Sequence, residues 1–139
     1  MIDPVEAVVQ FLRRDADLNV LVAGQVAGKH RYGDGWEIPS KGIALRANGG
    51  PVDLYTERQL QRLDARMYGE TQPEAMRVYR RVIALMRDAT RVKVETENGN
   101  ALIYWLVPRS APSLLYDQDL KMDYVLVFVE AAVSEIDVP

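Results

Sequence analysis

No cysteine occurs among the 139 residues. A disulfide framework and a thiolate metal site are therefore both excluded, and the chain shows no preference for an oxidising compartment. Histidine is nearly as scarce, with His30 the only one, so any triad or zinc site would have to work with a single imidazole. Basic charge is not in excess: 17 Lys and Arg stand against 20 Asp and Glu, for a net charge of −3 and a pI of about 5.2. That balance lacks the sequence-wide basic footprint of a protein held to nucleic acid by phosphate neutralisation. No apolar run approaches the roughly 20 residues of a membrane-spanning helix, and MIDPVEAVVQFLRRD begins with acids where a secretory signal has bases. The expectation is a protein made and used in a cytoplasm, with no membrane partner.

The familiar catalytic phrases are missing too. There is no P-loop, no Gly-x-Gly-x-x-Gly after a strand, no Gly-x-Ser-x-Gly elbow and no His-Glu-x-x-His helix. Phosphate cradling, dinucleotide binding, acyl transfer and zinc hydrolysis all lack their usual parts. These absences are the main functional information in the sequence, and they point away from an enzyme, a cofactor or a resident metal.

What is present is an ordinary globular composition, 48% hydrophobic and 27% charged, at a length that suits one domain over residues 1–139. A domain of this size buries only about two-thirds of its unfolded surface, so a flat shape that hides more in an oligomer fits it.

Asp3, Pro4 and Glu6 open a helix whose apolar stripe is Val5, Val8, Val9 and Leu12, with Glu6 placed to answer the cap. Asp15-Ala16-Asp17 interrupts it and caps a shorter helix bearing Leu18, Leu21 and Val22, which Gly24 and Gly28 stop. Gly42–Ala47 reads as a strand ended by Asn48-Gly49-Gly50-Pro51. Leu63–Tyr68 alternates apolar Leu63, Ala65 and Met67 with Asp64, Arg66 and Tyr68, which predicts a half-buried strand.

Thr71 and Glu74 then sign a capping box, and Ala75, Val78, Tyr79, Val82, Ile83 and Met86 form the buried stripe of a second long helix. Its Arg77, Arg80, Arg81 and Arg87 read as a solvated face, with the last arginines favoured by the helix dipole. In RVKVETENGNALIYWLV the Asn98-Gly99 pair predicts a two-residue type I′ hairpin turn. A loop with Pro108 and Pro112 leads to a last strand over Met122–Val133, apolar on both faces and so central or partner-covered. The fold class is α+β: a mostly antiparallel sheet, including that hairpin, with two main helices packed on one face.

The stretch from His30 to Gly42, HRYGDGWEIPSKG, has a catalytic look through His30, Asp34 and Glu37, but a glycine-rich loop holds precise geometry poorly. It reads better as an arm, with Pro39 giving an extended exit and Tyr32 and Trp36 as anchors for a neighbouring subunit. Trp105 shares a strand face with Ile103 and Val107 and reads as core or subunit contact. The acid pairs Asp117/Asp119 and Glu95/Glu97 lack the further oxygens of a calcium loop and read as solvated. The strand face of Arg62, Asp64 and Arg66 suits charge pairing across an interface.

DPVEAVVQFLRRDADLNVLVAGQV, then a glycine-bearing arm with Ile38-Pro39 before the first strand, and then MYGETQPEAMRVYRRVIALMRD resemble the tail-terminator or tail-completion proteins of long-tailed bacteriophages. The resemblance spans nearly the whole chain, in patterns of residue class. It implies a non-enzymatic protein of the virion tail neck, assembled in the host cytoplasm as a hexameric ring on the head-proximal end of the tail tube. Its partners would be the tail tube protein and the head connector or stopper, with DNA passing through the channel without specific binding. A head-side connector, stopper or neck adaptor is the alternative, and a small enzyme or ligand-binding domain centred on His30 the more distant one. Residues Asn48–Arg62 depart from the simplest family form and would be a hairpin extension or a mobile loop.

Overall fold

The computed structural model describes residues 3–22, 26–27, 41–49, 58–97, 99–119 and 121–136. In chain order these form α1 (Pro4–Arg13), α2 (Ala16–Val22), β1 (Val26–Ala27), β2 (Gly42–Ala47), β3 (Arg58–Gly69), α3 (Gln72–Arg87), β4 (Val92–Thr96), β5 (Gly99–Pro108), β6 (Ser113–Asp117) and β7 (Met122–Ile136). The class is the α+β one expected. Seven strands make one sheet ordered β1-β2-β3-β7-β5-β4, with β6 also on β7, and every pairing but β1 with β2 is antiparallel.

The long central pair β3 and β7 runs in unbroken register from Arg58 opposite Ser134 to Gly69 opposite Asp123. Period-two alternation then sorts their side chains. Leu63, Ala65 and Met67 of β3, with Val125, Val127, Val129, Ala131 and Val133 of β7, turn to one face and join the stripes of all three helices in one core. The helices thus cover one face of the sheet and leave the other open.

Local signals place the helices. Asp3 accepts the Val5 N–H at 2.9 Å, and Thr71 Oγ accepts the Glu74 N–H at 3.4 Å while Glu74 accepts from the Glu70 N–H at 3.0 Å. Glu6 does not close a box on Asp3. Its carboxylate instead accepts the Glu97 N–H at 2.9 Å, tying α1 to the far hairpin. Asp15 caps α2 through the Leu18 N–H at 2.8 Å and is held by Arg81 of α3 through Nε at 2.9 Å and Nη2 at 2.7 Å. One residue of the predicted solvated arginine face is therefore a structural clasp between helices.

Several expectations need correction. β3 starts at Arg58, so the far end of the Asn48–Arg62 segment is strand. Asn48 and Gly49 extend the β2–β3 ladder, with Asn48 N–H on the Arg62 carbonyl at 2.7 Å and Arg62 N–H on the Gly49 carbonyl at 2.8 Å. Residues 50–57 of that segment lie outside the described residues, as do Gly24 and Gly28. The hairpin ladder closes at Thr96 opposite Gly99, so Gly99 belongs to β5 and not to the turn expected at Asn98-Gly99; Asn98 itself lies outside the described residues. Gly99 has φ +134° and Thr96 Oγ donates to its carbonyl at 2.7 Å, which draws Gly99 into the ladder.

Two strands escaped the sequence pattern. β1 has only two residues, and β6 (Ser113–Asp117) follows Pro112 in the loop expected before the last strand. β5 and β6 run in the same direction along the same edge of β7, β5 against Val129–Ile136 and β6 against Met122–Leu126. At the break between them the ladder is bridged, with Arg109 N–H on the Phe128 carbonyl at 2.7 Å and Phe128 N–H on Ser110 Oγ at 2.9 Å. The prolines interrupt the line without ending it.

Substitutions at two positions test this packing. An alanine Cβ at Gly69 would lie 2.4 Å from the Ala75 nitrogen and 2.9 Å from the Glu74 carbonyl carbon, both backbone atoms of α3. Gly69→Ala is expected to cost about 3 kcal/mol in denaturant unfolding; a cost near zero would mean that β3 and α3 do not meet this closely. The hydrogen bonds from Arg81 hold the Asp15 carboxyl below the usual carboxylate range, with the Leu18 N–H adding to them and burial opposing. A lowered folded pKa means the stability is present above the unfolded value and lost as pH falls through the folded one. Asp15→Ala, which removes cap and clasp, should cost about 2 kcal/mol near neutrality, and Asp15→Asn, which keeps the cap, about half that. In melting curves both should lose less stability than the parent below about pH 4.

Candidate assembly surface

The open face of the sheet carries the alternate residues of β3 and β7. Arg62 stands opposite Glu130, Asp64 opposite Phe128 and Arg66 opposite Leu126 in the register. Arg46 of β2 stands opposite Asp64 on the other side. Arg62, Asp64 and Arg66, picked out in the sequence for pairing across an interface, thus sit in one row in the middle of this face. Arg46 and Arg62 are exposed, and Asp64 and Arg66 half-buried.

Two aromatic groups flank the row. At one end Tyr68 and Tyr124 pack with ring centroids 5.1 Å apart, and the Arg66 guanidinium lies 5.2 Å from the Tyr124 ring centre. Alternation along β3 predicts that Tyr68 lies on the outward face. It is on that face, yet it is buried, because Ala44, Met122 and Tyr124 close over it as a small second core.

At the other end Arg58 lies over Trp105 at 5.1 Å and over Tyr104 at 5.8 Å, and Ser134 Oγ donates to the Tyr104 hydroxyl at 3.2 Å. Trp105 does not share a face with Ile103. The ladder shifts between these two residues, Ile103 standing opposite Val133 and Trp105 opposite Ala132. That bulge puts Tyr104 and Trp105 in succession on the open face, while Leu106 returns to the core. Strict alternation could not reveal it; the aromatic pair at a strand centre was the available signal.

Each cation–π contact of this kind contributes on the order of 0.5–1 kcal/mol and fixes a guanidinium in place. By register the face holds Arg46, Arg58, Arg62, Arg66 and Lys93, and Arg109, which pairs with Glu130 at 3.1 Å, against the acids Asp64, Glu95, Asp117 and Glu130. It is therefore locally basic on an acidic chain. Phe128, 43% exposed at its centre, adds an apolar contact. Nε of Arg66 and Nε1 of Trp105 are buried without hydrogen-bond partners. Asp64 is oriented by Asn48 Nδ2 at 2.9 Å.

A virion chain shares this fold. The match is to a chain of the "Virion of native gene transfer agent (GTA) particle", with a TM-score of 0.62, 17% identity, and coverage of 94% of this chain and 93% of that one. No family description and no curated protein matches. Near-complete coverage of both chains means that the likeness is to the whole fold and not to one part of it.

Other candidates resolve less. Tyr32 and Trp36 of the arm, with His30, Asp34 and Glu37, lie outside the described residues. Asp117 accepts the Asp119 N–H at 3.0 Å, so this acid pair shapes the turn before β7. Among the described residues no group of three or more His, Cys, Asp or Glu is placed to hold a metal, and no helix is long and apolar enough to cross a membrane.

Proposed function

We propose that this chain is a non-enzymatic structural subunit of a virion. In this reading it forms a ring, hexameric by the family resemblance, that caps the head-proximal end of a tail tube. The ring ends tube growth and offers the surface that meets the head connector, and DNA passes through its channel. The observation that carries the reading is the fold shared, end to end, with a chain of a virion.

The open sheet face gives it a physical basis. An antiparallel sheet can leave one face to water, but that face is then usually polar. Here it combines stacked arginines, an exposed phenylalanine and two aromatic clusters, the composition enriched at protein interfaces. Arg62, Asp64 and Arg66 are the residues proposed to meet a neighbouring subunit, with Tyr32 and Trp36 as its anchors from the arm. Opposed charges in one row would set the register of that contact more than its strength.

Light scattering after size exclusion across a concentration series, with negative-stain imaging, tests this. The parent chain should form rings at high concentration or on tail tubes. Arg62→Glu and Arg66→Glu should need roughly tenfold more protein to assemble, equivalent to about 1.4 kcal/mol per contact, with an unchanged circular dichroism spectrum. Unaltered assembly in both variants would remove this face from the interface, and a chain that forms no ring even with tail tubes would contradict the reading.

A further inference from the structure

A sheet must deal with its exposed edges, where unpaired N–H and C=O groups invite any extended chain. Among the described residues this sheet has three such edges, on β1, β4 and β6. Two are capped by consecutive arginines of one helix end. Arg13 donates through Nε at 3.1 Å and Nη2 at 2.6 Å to the Val26 carbonyl of β1. Arg14 donates through Nη1 at 2.9 Å to the Lys93 carbonyl of β4, and Glu6 covers the adjacent Glu97 N–H.

Among the described residues the third edge has no such cover. Leu114, Leu115 and Tyr116 of β6 are 47%, 40% and 57% exposed. Phe128 directs both its N–H and its C=O to the β5–β6 side of β7. Ladder alternation then turns Leu126, Tyr124 and Met122 the same way. Their partners Ser113, Leu115 and Asp117 therefore face β7, and the backbone groups of Leu114 and Tyr116 face outward.

We infer that two copies of this chain pair through β6, antiparallel and centred on Leu115 of each. That register places Leu114 against Tyr116 of the second copy, where both outward backbone groups of each exchange hydrogen bonds. Leu115 meets its own counterpart as a close, non-hydrogen-bonded pair. Ser113 stands opposite Asp117, so the two aspartates are kept apart. The two ends of β6 differ in charge: Arg109, held by Glu130, precedes it, Asp117 ends it, and Asp119 and Lys121 follow, a turn of net negative charge. Antiparallel pairing sets that turn beside the Arg109–Glu130 pair of the other copy, whereas parallel pairing would set the two acidic turns together.

The contact is isologous and closes at two. It cannot propagate a ring, so it is independent of the ring contact on the open face. It describes the free protein, in which self-pairing withdraws an adhesive edge from other chains. The interface is small, and the dimer should dissociate on dilution.

The absence of cysteine from the parent gives a clean test. A non-hydrogen-bonded pair has its Cα atoms about 4.5 Å apart, within disulfide range. Leu115→Cys should therefore oxidise under mild conditions to a covalent dimer as the main product. Ser113→Cys should not link to itself, since its counterpart lies four residues away along the paired strands, roughly 13 Å. Adding Tyr116→Pro, which removes an outward N–H and leaves the β7 ladder intact, should abolish the Leu115→Cys dimer. Circular dichroism confirms that each variant is folded. Failure of folded Leu115→Cys to link, or equal linking by Ser113→Cys, overturns the inference. Rings without a Leu115→Cys link would overturn it and leave the ring reading standing; linked dimers that never form rings would do the reverse.

Discussion

The pairing of β3 with β7 is the constraint on which the rest of the molecule depends. Its register assigns every side chain of both strands to one of two faces, and a slip of one residue would exchange Leu63, Ala65 and Met67 with Arg62, Asp64 and Arg66. The buried face makes that slip prohibitive, since it would set an arginine row against three helices. The same register therefore fixes the core and the order of charges on the open face. β2 extends the pair on one side, and β5 and β6 share the other, so the sheet is organised outward from this ladder.

The helices add a second function to their packing. α1 places Arg13, Arg14 and Glu6 where they cap two sheet edges, and Arg81 of α3 clasps Asp15 at the junction of α1 and α2. Edges and helix junctions are thus managed from the helical side, while among the described residues no helix covers the open face or β6. In a chain that works alone such surfaces would be a liability. In the ring subunit proposed above they are the parts offered to neighbours.

Much of the architecture was legible in the sequence because it rests on local chemistry. Asp3-Pro4 and Thr71-Gln72-Pro73-Glu74 mark helix starts through side-chain bonds only a few residues long, and alternation in Leu63–Tyr68 follows from the pleat. What could not be read depends on distant partners. Glu6 looked like a capping-box residue, but its acceptor oxygen is used by Glu97. Arg81 looked solvated, but Asp15 lies 66 residues away in sequence. The bulge that turns Trp105 to the open face, the burial of Tyr68 and the short strand β6 all arise from β7, which the chain reaches last. Of the proposed contact surface, the placing of Arg62, Asp64 and Arg66 on one strand face was legible from charge alternation. The arginine–aromatic stacks with Arg58 were missed, because its aromatic partners come from another strand.

Arginine modification of the assembled and the dissociated protein, read residue by residue by mass spectrometry, tests most directly whether the open face is where subunits meet. Burial of that face on assembly predicts that Arg46, Arg58, Arg62 and Arg66 lose reactivity towards a dicarbonyl reagent, while Arg77, Arg80 and Arg87 of α3 keep theirs. Protection of the α3 arginines with the sheet arginines still reactive would place the contact on the helical side and contradict the account.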